Sequence, residues 1–403
     1  MNYSKNEVIQ FVNEEDVKFI RLAFCDVFGK QKNISIMSHE LQTAFDYGIA
    51  IDGSAIGGFG GDVHSDLLLH PEPGTLSILP WRPEHGRVVR MFCHITYPDG
   101  KPFENDTRSL LKQAIAAAEE KGYRFYFGAE QEFYLFELDE NGEPTKKPYD
   151  HAGYMDIAPE DKGENIRREI CLTLEQMGIL PESSHHEEGP GQNEIDFRYS
   201  EPLTAADNLL TLQTIVKTVA SRNGLYADFS PKPLSGKPGN GFHINISVKP
   251  NDGSENLSYV IAGVLEKIKE ITAFLNPGEN SYRRLGSNKA PKYISWSSEN
   301  RSQLVRIPAS STANRRAELR SPDPTVNPYL AYTLLIYSGL AGLEEKKQLP
   351  FVADFNMFRA DKSTLEEFEA LPADWKQAKA IAANSAFVAK HLPKSIIDAY
   401  CAE

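Results

Sequence analysis

Tyr123-Arg124-Phe125-Tyr126-Phe127-Gly128-Ala129-Glu130-Gln131-Glu132-Phe133-Tyr134-Leu135-Phe136 is the stretch on which the fold turns. It is aromatic, rich in strand formers and free of proline, so it reads as one long strand. Alternation along a strand puts Glu130 and Glu132 on one face, with Gln131 and Phe133 on the other. The apolar neighbours bury that strand, and two buried carboxylates side by side require a compensating cation.

A second segment supplies more of the same chemistry: His185-His186-Glu187-Glu188-Gly189-Pro190-Gly191-Gln192-Asn193-Glu194. Glu187 and Glu194 flank a tight Gly-Pro-Gly turn, so both can point back at one spot, where they repel each other unless a cation lies between them. Further along, His243, Asn245 and Ser247 share one strand face, as do Arg316, Glu318 and Arg320. Alternating charge on one strand usually marks a solvated sheet face. Here several such faces carry carboxylates within otherwise apolar strands, which points to a metal instead. Glu130, Glu132, Glu187, Glu194, Glu318 and His243 offer oxygen with a single imidazole, a set suited to Mg²⁺ or Mn²⁺ rather than Zn²⁺. Arg284, Arg301, Arg306, Arg316 and Arg320 fit as clamps for phosphate or carboxylate. The chain has no Walker-type phosphate loop, and the glycine-rich Gly236–Gly241 segment is weak evidence alone.

Around these segments the pattern is α+β. Strands are expected at Val17–Phe24, Leu225–Phe229, Gly241–Val248, Ser302–Ile307 and Arg316–Arg320. The region up to about residue 97 reads as strand-rich, with few helical periods. Helices are expected from Asp106 or Thr107 to Gly122, at Glu164–Met177, from Thr204, at Asn327–Leu343 and at Trp375–Leu392. No regular βαβ rhythm appears, which disfavours a doubly wound sheet. Pro98-Asp99-Gly100-Lys101-Pro102 is turn punctuation and divides residues 1–102 from 103–403.

Length and composition set the remaining bounds. The 403 residues can bury a large core in two domains, and 41% hydrophobic with 25% charged residues is ordinary for a globular protein. A net charge of −13 without a basic block argues against nucleic acid or an anionic membrane as partner. The four cysteines form no paired motif, and Cys171 falls in the apolar stripe of a helix, as a buried reduced thiol would. The N-terminus lacks a leader pattern and Leu330–Leu343 is too short to span a bilayer, so a cytoplasmic location is expected.

The ordered motifs together resemble the glutamine synthetase family, in its bacterial type I form, nearly end to end. Asp52-Gly53-Ser54-Ala55-Ile56-Gly57-Gly58-Phe59, Ser65-Asp66 to Pro71, Glu130-Gln131-Glu132-Phe133, His185 to Glu194, Asn300-Arg301-Ser302 to Ile307-Pro308 and Arg316 to Tyr329-Leu330 carry the resemblance. It implies an N-terminal β-grasp domain and a catalytic domain with a curved antiparallel sheet flanked by helices. It also implies an ATP-dependent ligase that makes glutamine from glutamate and ammonia through γ-glutamyl phosphate. Glu132, Glu187 and Glu194 would hold one metal, and Glu130, His243 and Glu318 the other. Arg320 and Arg301 would meet the transferred phosphate. Arg284 and Gly239 would take glutamate, and Arg306, Arg316, Glu182, Tyr199 and Ser247 would lie on the nucleotide side. Asp52 and Tyr154 would line an ammonium pocket, with Asp52 supplied by a neighbouring subunit of a ring.

The chain departs from the family pattern in places. Pro238 stands for an asparagine, Asn245 for a second histidine, Lys289 for the flap glutamate in a loop one residue shorter, and Phe358 for a regulatory tyrosine. The sequence given stops at Glu403, before the family's usual C-terminal helix and tail. These changes keep two other expectations open: a γ-glutamyl ligase for an organic amine, and a non-catalytic relative serving as a binding protein.

Overall fold

The computed structural model describes residues 3–60, 65–82, 84–253, 256–308 and 315–402, and divides into two compact units. The first comprises Met1–Gln113 with Gln176–Gly178, the second Ala114–Glu175 with Ile179–Glu403.

In the first unit the elements run α1 (Lys5–Glu14), β1 (Val17–Cys25), β2 (Gln31–Met37), α2 (Leu41–Tyr47), β3 (Ile49–Asp52), β4 (Asp66–Pro71), β5 (Ser77–Ile78) and β6 (Arg87–Thr96). β1 and β2 form a hairpin whose turn is tied by Asp26, its Oδ1 accepting from the amides of Phe28 at 3.1 Å and Lys30 at 2.8 Å. The sheet order is β2-β1-β6-β4-β3, with β5 on β6; β1 and β6 are parallel and the other pairs antiparallel. This is the β-grasp domain expected from the sequence. The two helices, α1 and α2, were not expected there. α1 opens with a Ser4/Glu7 capping box and buries only Val8 and Val12, so its apolar stripe is too thin to stand out.

α3 (Thr107–Glu120) leads into the second unit and is capped by Asp106, whose Oδ1 accepts from the Arg108 amide at 3.2 Å. There follow β7 (Tyr123–Leu138), β8 (Pro144–Pro148), α4 (Glu164–Gln176), β9 (Pro181–His186), β10 (Gln192–Ser200), α5 (Pro202–Arg222), β11 (Leu225–Asp228) and β12 (Phe242–Pro250). Then come α6 (Leu257–Leu275), α7 (Glu279–Arg284), β13 (Trp296–Ser297), β14 (Val305–Arg306), β15 (Ala317–Leu319), α8 (Pro328–Glu345), α9 (Lys362–Leu365), α10 (Trp375–Ala383), α11 (Ala386–His391) and α12 (Lys394–Cys401). The sheet order is β13-β14-β15-β12-β7-β10-β9, with β8 and β11 both on β7. Every pair is antiparallel except β13 with β14.

β7 is the spine. It lies between β12 and β10 in its middle and between β11 and β8 at its end, so one strand serves successive neighbours along a curled sheet. Its odd-numbered side chains, Phe125 to Leu135, are buried against the helical layer. There Tyr332 of α8 stacks on Phe127 at 4.2 Å with an interplanar angle of 3°. The even face carries Glu130 and Glu132, as alternation requires.

Several local expectations need correction. The strand foreseen at Ser302–Ile307 is only Val305–Arg306, because Asn300 Oδ1 accepts from the amide and hydroxyl of Ser302 and makes a turn of its start. Arg316 lies just outside β15 and is exposed, so it shares no strand face with Glu318. The helix foreseen at Trp375–Leu392 is two, since Ser385 Oγ accepts from the Val388 amide at 3.0 Å and starts a new one. Cys171 is half-buried, because α4 turns Ile166, Arg167, Ile170 and Leu174 inward instead. Among the described residues no helix is long and apolar enough to cross a membrane.

Candidate active site

Four strands, β7, β10, β12 and β15, and the turn before β10 bring the six candidate ligands together. Register places Glu130 opposite His243 between β7 and β12, and Glu132 opposite Glu194 between β7 and β10. Glu318, on β15 beside β12, completes the row. Glu130, His243 and Glu318 form one cluster, Glu132, Glu194 and His243 a second, and His185, Glu187 and Glu194 a third. In each cluster the ligand atoms lie within 4.8 Å of one another. His243 joins the first two. Its Nδ1 lies 3.1 Å from Glu130 and 3.5 Å from Glu318, and its Nε2 lies 3.9 Å from Glu132.

The electrostatics match a site built for cations. Burial, then the charge of Glu132, pushes Glu187 up to about 7. Glu194 is pushed well above the usual carboxylate range by burial and by Glu132, Asp196, Glu130 and Glu187. Burial would also raise Glu130, but hydrogen bonding to His243, its charge, Asn245 and Arg306 outweigh burial and hold it at about 2. Carboxylates so crowded either take up protons or take a metal. The oxygen-rich clusters that share the His243 imidazole have donors that fit hard divalent cations.

Arginines edge the same patch. Arg306 Nε donates to Glu318 Oε2 at 2.5 Å and Arg320 Nε donates to Glu318 Oε1 at 3.2 Å. Arg320 also donates to the backbone oxygens of Lys289 and Arg301. Arg284 is buried and donates to the carbonyls of Ser321 at 2.7 Å and Arg320 at 3.2 Å. Gly241 leaves room for these groups: a Cβ there would lie 2.7 Å from His243 Nε2, 2.9 Å from Arg284 Nη2 and 3.1 Å from Glu132 Oε1 and would push them aside.

The remaining expected residues are more dispersed. Tyr154 is 47% exposed and sets its ring edge-on to His185 at 5.4 Å. Arg301 and Arg316 are exposed. Glu182, Tyr199 and Ser247 lie farther along β9, β10 and β12, and Tyr199 meets Tyr126 edge-on at 6.0 Å. Asp52 belongs to the first unit, where it ends β3 and its Oδ1 accepts from the Ser54 amide at 2.9 Å and hydroxyl at 2.7 Å.

Sequence reading missed the groups that hold this site in shape. Gln192, fully buried, donates through Nε2 to Glu132 Oε2 at 3.0 Å and to the Gly239 carbonyl at 3.1 Å, while its Oε1 accepts from the Gly189 amide at 2.9 Å. Tyr134 donates to the Pro238 carbonyl at 2.7 Å. A Cβ on Gly189 would come within 1.9 Å of the Tyr134 hydroxyl, so the turn closes only with glycine there. Below it, Asp150 and Asp161 hold His186 and Arg167: His186 Nε2 lies 2.8 Å from Asp150 Oδ1, and Arg167 Nη2 donates to Asp161 Oδ2 at 2.5 Å. Asp196, pushed up to about 7 by burial and by Glu130, adds a carboxylate opposite Glu130. Its place two residues after Glu194 on a strand is the signal that would have found it.

Known proteins give a consistent frame. The family model described as glutamine synthetase, catalytic domain, matches residues 104–403, and that described as glutamine synthetase, beta-Grasp domain, matches residues 16–98. A protein named glutamine synthetase from Clostridium saccharobutylicum is 46% identical over 378 residues, spanning 91% of this chain and 85% of its own length. Another, from Methanosarcina mazei, is 43% identical over 416 residues, spanning 99% and 93%. Among solved structures, a GmaS complex with ADP superposes with a TM-score of 0.89 at 27% identity, covering 100% of this chain and 94% of that one. GmaS without ligand gives 0.88 at 28%.

Proposed function

The chain belongs to the glutamine synthetase family, and from that premise we propose that this ATP-dependent ligase joins glutamate to ammonia, giving glutamine, ADP and phosphate. The observation that carries the reading is the juxtaposition of two carboxylate clusters sharing His243 with Arg306, Arg320 and Arg284. A carboxylate does not react with ammonia, so its oxygen must first become a leaving group. A γ-carboxylate oxygen attacks the terminal phosphorus of ATP, ADP departs and an acyl phosphate forms. Ammonium then loses a proton, the free amine attacks the carbonyl and phosphate leaves.

Residue roles follow from charge. Glu132, Glu187 and Glu194 would hold one Mg²⁺ or Mn²⁺, and Glu130, His243 and Glu318 the other. Such ions screen the repulsion between two anions and orient their oxygens. Arg320 and Arg301 face the transferred phosphate, where fixed guanidinium groups stabilise developing charge. Arg284 and Gly239 hold glutamate; Arg306, Arg316, Glu182, Tyr199 and Ser247 serve the nucleotide. Tyr154 and Asp52 form the ammonium pocket, with Asp52 given by a neighbouring copy in a ring assembled in the cytoplasm.

The test is glutamate-dependent phosphate release from ATP with Mg²⁺ or Mn²⁺, run with ammonium and with a panel of amines. Glutamine formation with ammonium is the expected result. A second reading, ligation of an organic amine, draws on Lys289 and Pro238 and on the likeness to GmaS. Preference for a bulky amine over ammonium would establish it, and absence of any ATP turnover would leave only a binding role.

A further inference from the structure

Successive side chains of β9 point to opposite faces, so His185 turns to the carboxylate clusters and His186 turns away from them into the interior. His186 is fully buried, beside Asp150 and Asp161. The spacing of these three would suit an ion, but the chain supplies its own cation there. Arg167 Nη1 donates to Asp161 Oδ1 at 3.1 Å and to Asn193 Oδ1 at 2.6 Å. A buried charged group of this kind adds little stability over apolar packing of the same volume. Its distinguishing feature is the main chain it holds.

Both ring nitrogens of His186 meet acceptors. Nε2 lies 2.8 Å from Asp150 Oδ1, and Nδ1 lies 2.6 Å from the Glu187 carbonyl oxygen. That carbonyl belongs to the peptide joining Glu187 to Glu188. On the far side of the same peptide, the Glu188 amide donates to Glu187 Oε2 at 2.9 Å. A trans peptide is planar, with its C=O and N–H pointing in opposite directions, so a ring that fixes the first also fixes the second. Asp150 is itself held, since its Oδ1 also accepts from the Gly191 amide at 2.9 Å and its Oδ2 from the Lys162 amide at 3.1 Å. Glu187 Oε1 is left on the side of the cluster, 3.9 Å from His185 Nδ1.

We propose that His186, anchored by Asp150, is a positioning residue for the metal ion: by holding the Glu187–Glu188 peptide plane it commits Glu187 Oε2 to the main chain and presents Oε1 to the cation shared with Glu132 and Glu194. This rests on the ligase reading and its metal assignment given above. A carboxylate already held in place has less side-chain freedom to lose when the ion arrives. Partners that orient a ligand in this way contribute about ten- to a hundred-fold in metal affinity.

Two variants separate the two contacts of the ring. His186→Asn keeps a donor at the place of Nδ1, and His186→Gln keeps one at the place of Nε2. Titrated with Mn²⁺ alone by calorimetry, the glutamine variant should lose about ten-fold or more in one binding event, with any other event within about two-fold of wild type. The asparagine variant should stay within about three-fold in all of them. Because the effect passes through Glu187, His186→Gln should cost nothing further in a Glu187→Gln background. Equal losses in the two His186 variants overturn the proposal, since loss of the ring alone would then account for them. An undiminished loss in the Glu187→Gln background overturns it too, as does full affinity in both variants. Should His186→Gln fail to fold, the asparagine variant decides: retained affinity supports the proposal and a loss of about ten-fold refutes it. The titration needs no turnover, so a wild type that binds Mn²⁺ but ligates no amine leaves this inference standing while the ligase reading falls. A wild type that binds no Mn²⁺ overturns the inference together with the metal assignment.

Discussion

At the residue scale, Glu318 does the most with the least surface. It is 1% exposed, it accepts from Arg306 and Arg320, and it stands 3.5 Å from His243. Glu318→Ala should lower glutamate-dependent ATP turnover by about 100-fold or more, the scale seen when one preorganised charge contact is removed. It should also abolish one of the Mn²⁺ binding events seen by calorimetry. ATP hydrolysis at the wild-type rate in this variant would mean the cluster is structural. Lys289 offers the opposite experiment. Exchanging the cation of this loop for a carboxylate favours a bound ammonium, so Lys289→Glu should lower the Michaelis constant for ammonium in a steady-state assay. A rise, with glutamate binding unchanged, would place the lysine outside the amine's field.

At the scale of elements, α11 carries a pH dependence of its own. His391 stacks on Tyr337 at 3.9 Å, and burial, then Lys390, lowers its pKa to about 4. The unfolded value is about 6.5, so the neutral ring is the form that packs. Its contribution is complete above about 6.5 and declines as pH falls towards 4. Hydrogen exchange should show α11 and α12 losing protection over that window, and His391→Phe should flatten the loss. The same elements show how much of the fold was legible. β7 could be read because it is aromatic and free of proline, and alternation puts Glu130 and Glu132 on one face with Gln131 and Phe133 on the other. α6 was not read: it buries Val260, Ile261, Ala262, Val264 and Leu265 in near-continuous series, so no polar stripe reveals its period. Glu130, Glu132, His243 and Glu318 could be read from strand alternation, and Glu187 and Glu194 from the tight turn they flank. Gln192 and Tyr134 left no such signal, because their partners Gly239 and Pro238 lie 47 and 104 residues away in sequence.

For the whole molecule, the proposed sharing of each site between copies makes a test available that no single subunit allows. Asp52→Ala and Glu318→Ala lie in different units of the chain, so each variant alone should be inactive in glutamine synthesis. Mixed and reassembled, they should recover part of the activity, because some sites would then receive a wild-type half from each parent. No recovery, together with an active monomer by mass photometry, would place the whole reaction within one copy. The buried contacts of Gln192 and Tyr134 carry a further consequence. Tyr134 ties β7, and Gln192 the Glu187–Glu194 turn, to the Pro238–Gly239 segment. Mn²⁺ and glutamate, proposed above to bind these two joined surfaces, should therefore be coupled in affinity. The factor by which Mn²⁺ tightens glutamate must equal the factor by which glutamate tightens Mn²⁺. In Tyr134→Phe both factors should shrink together in paired titrations, and the chain would then bind its metal and its amino acid as strangers.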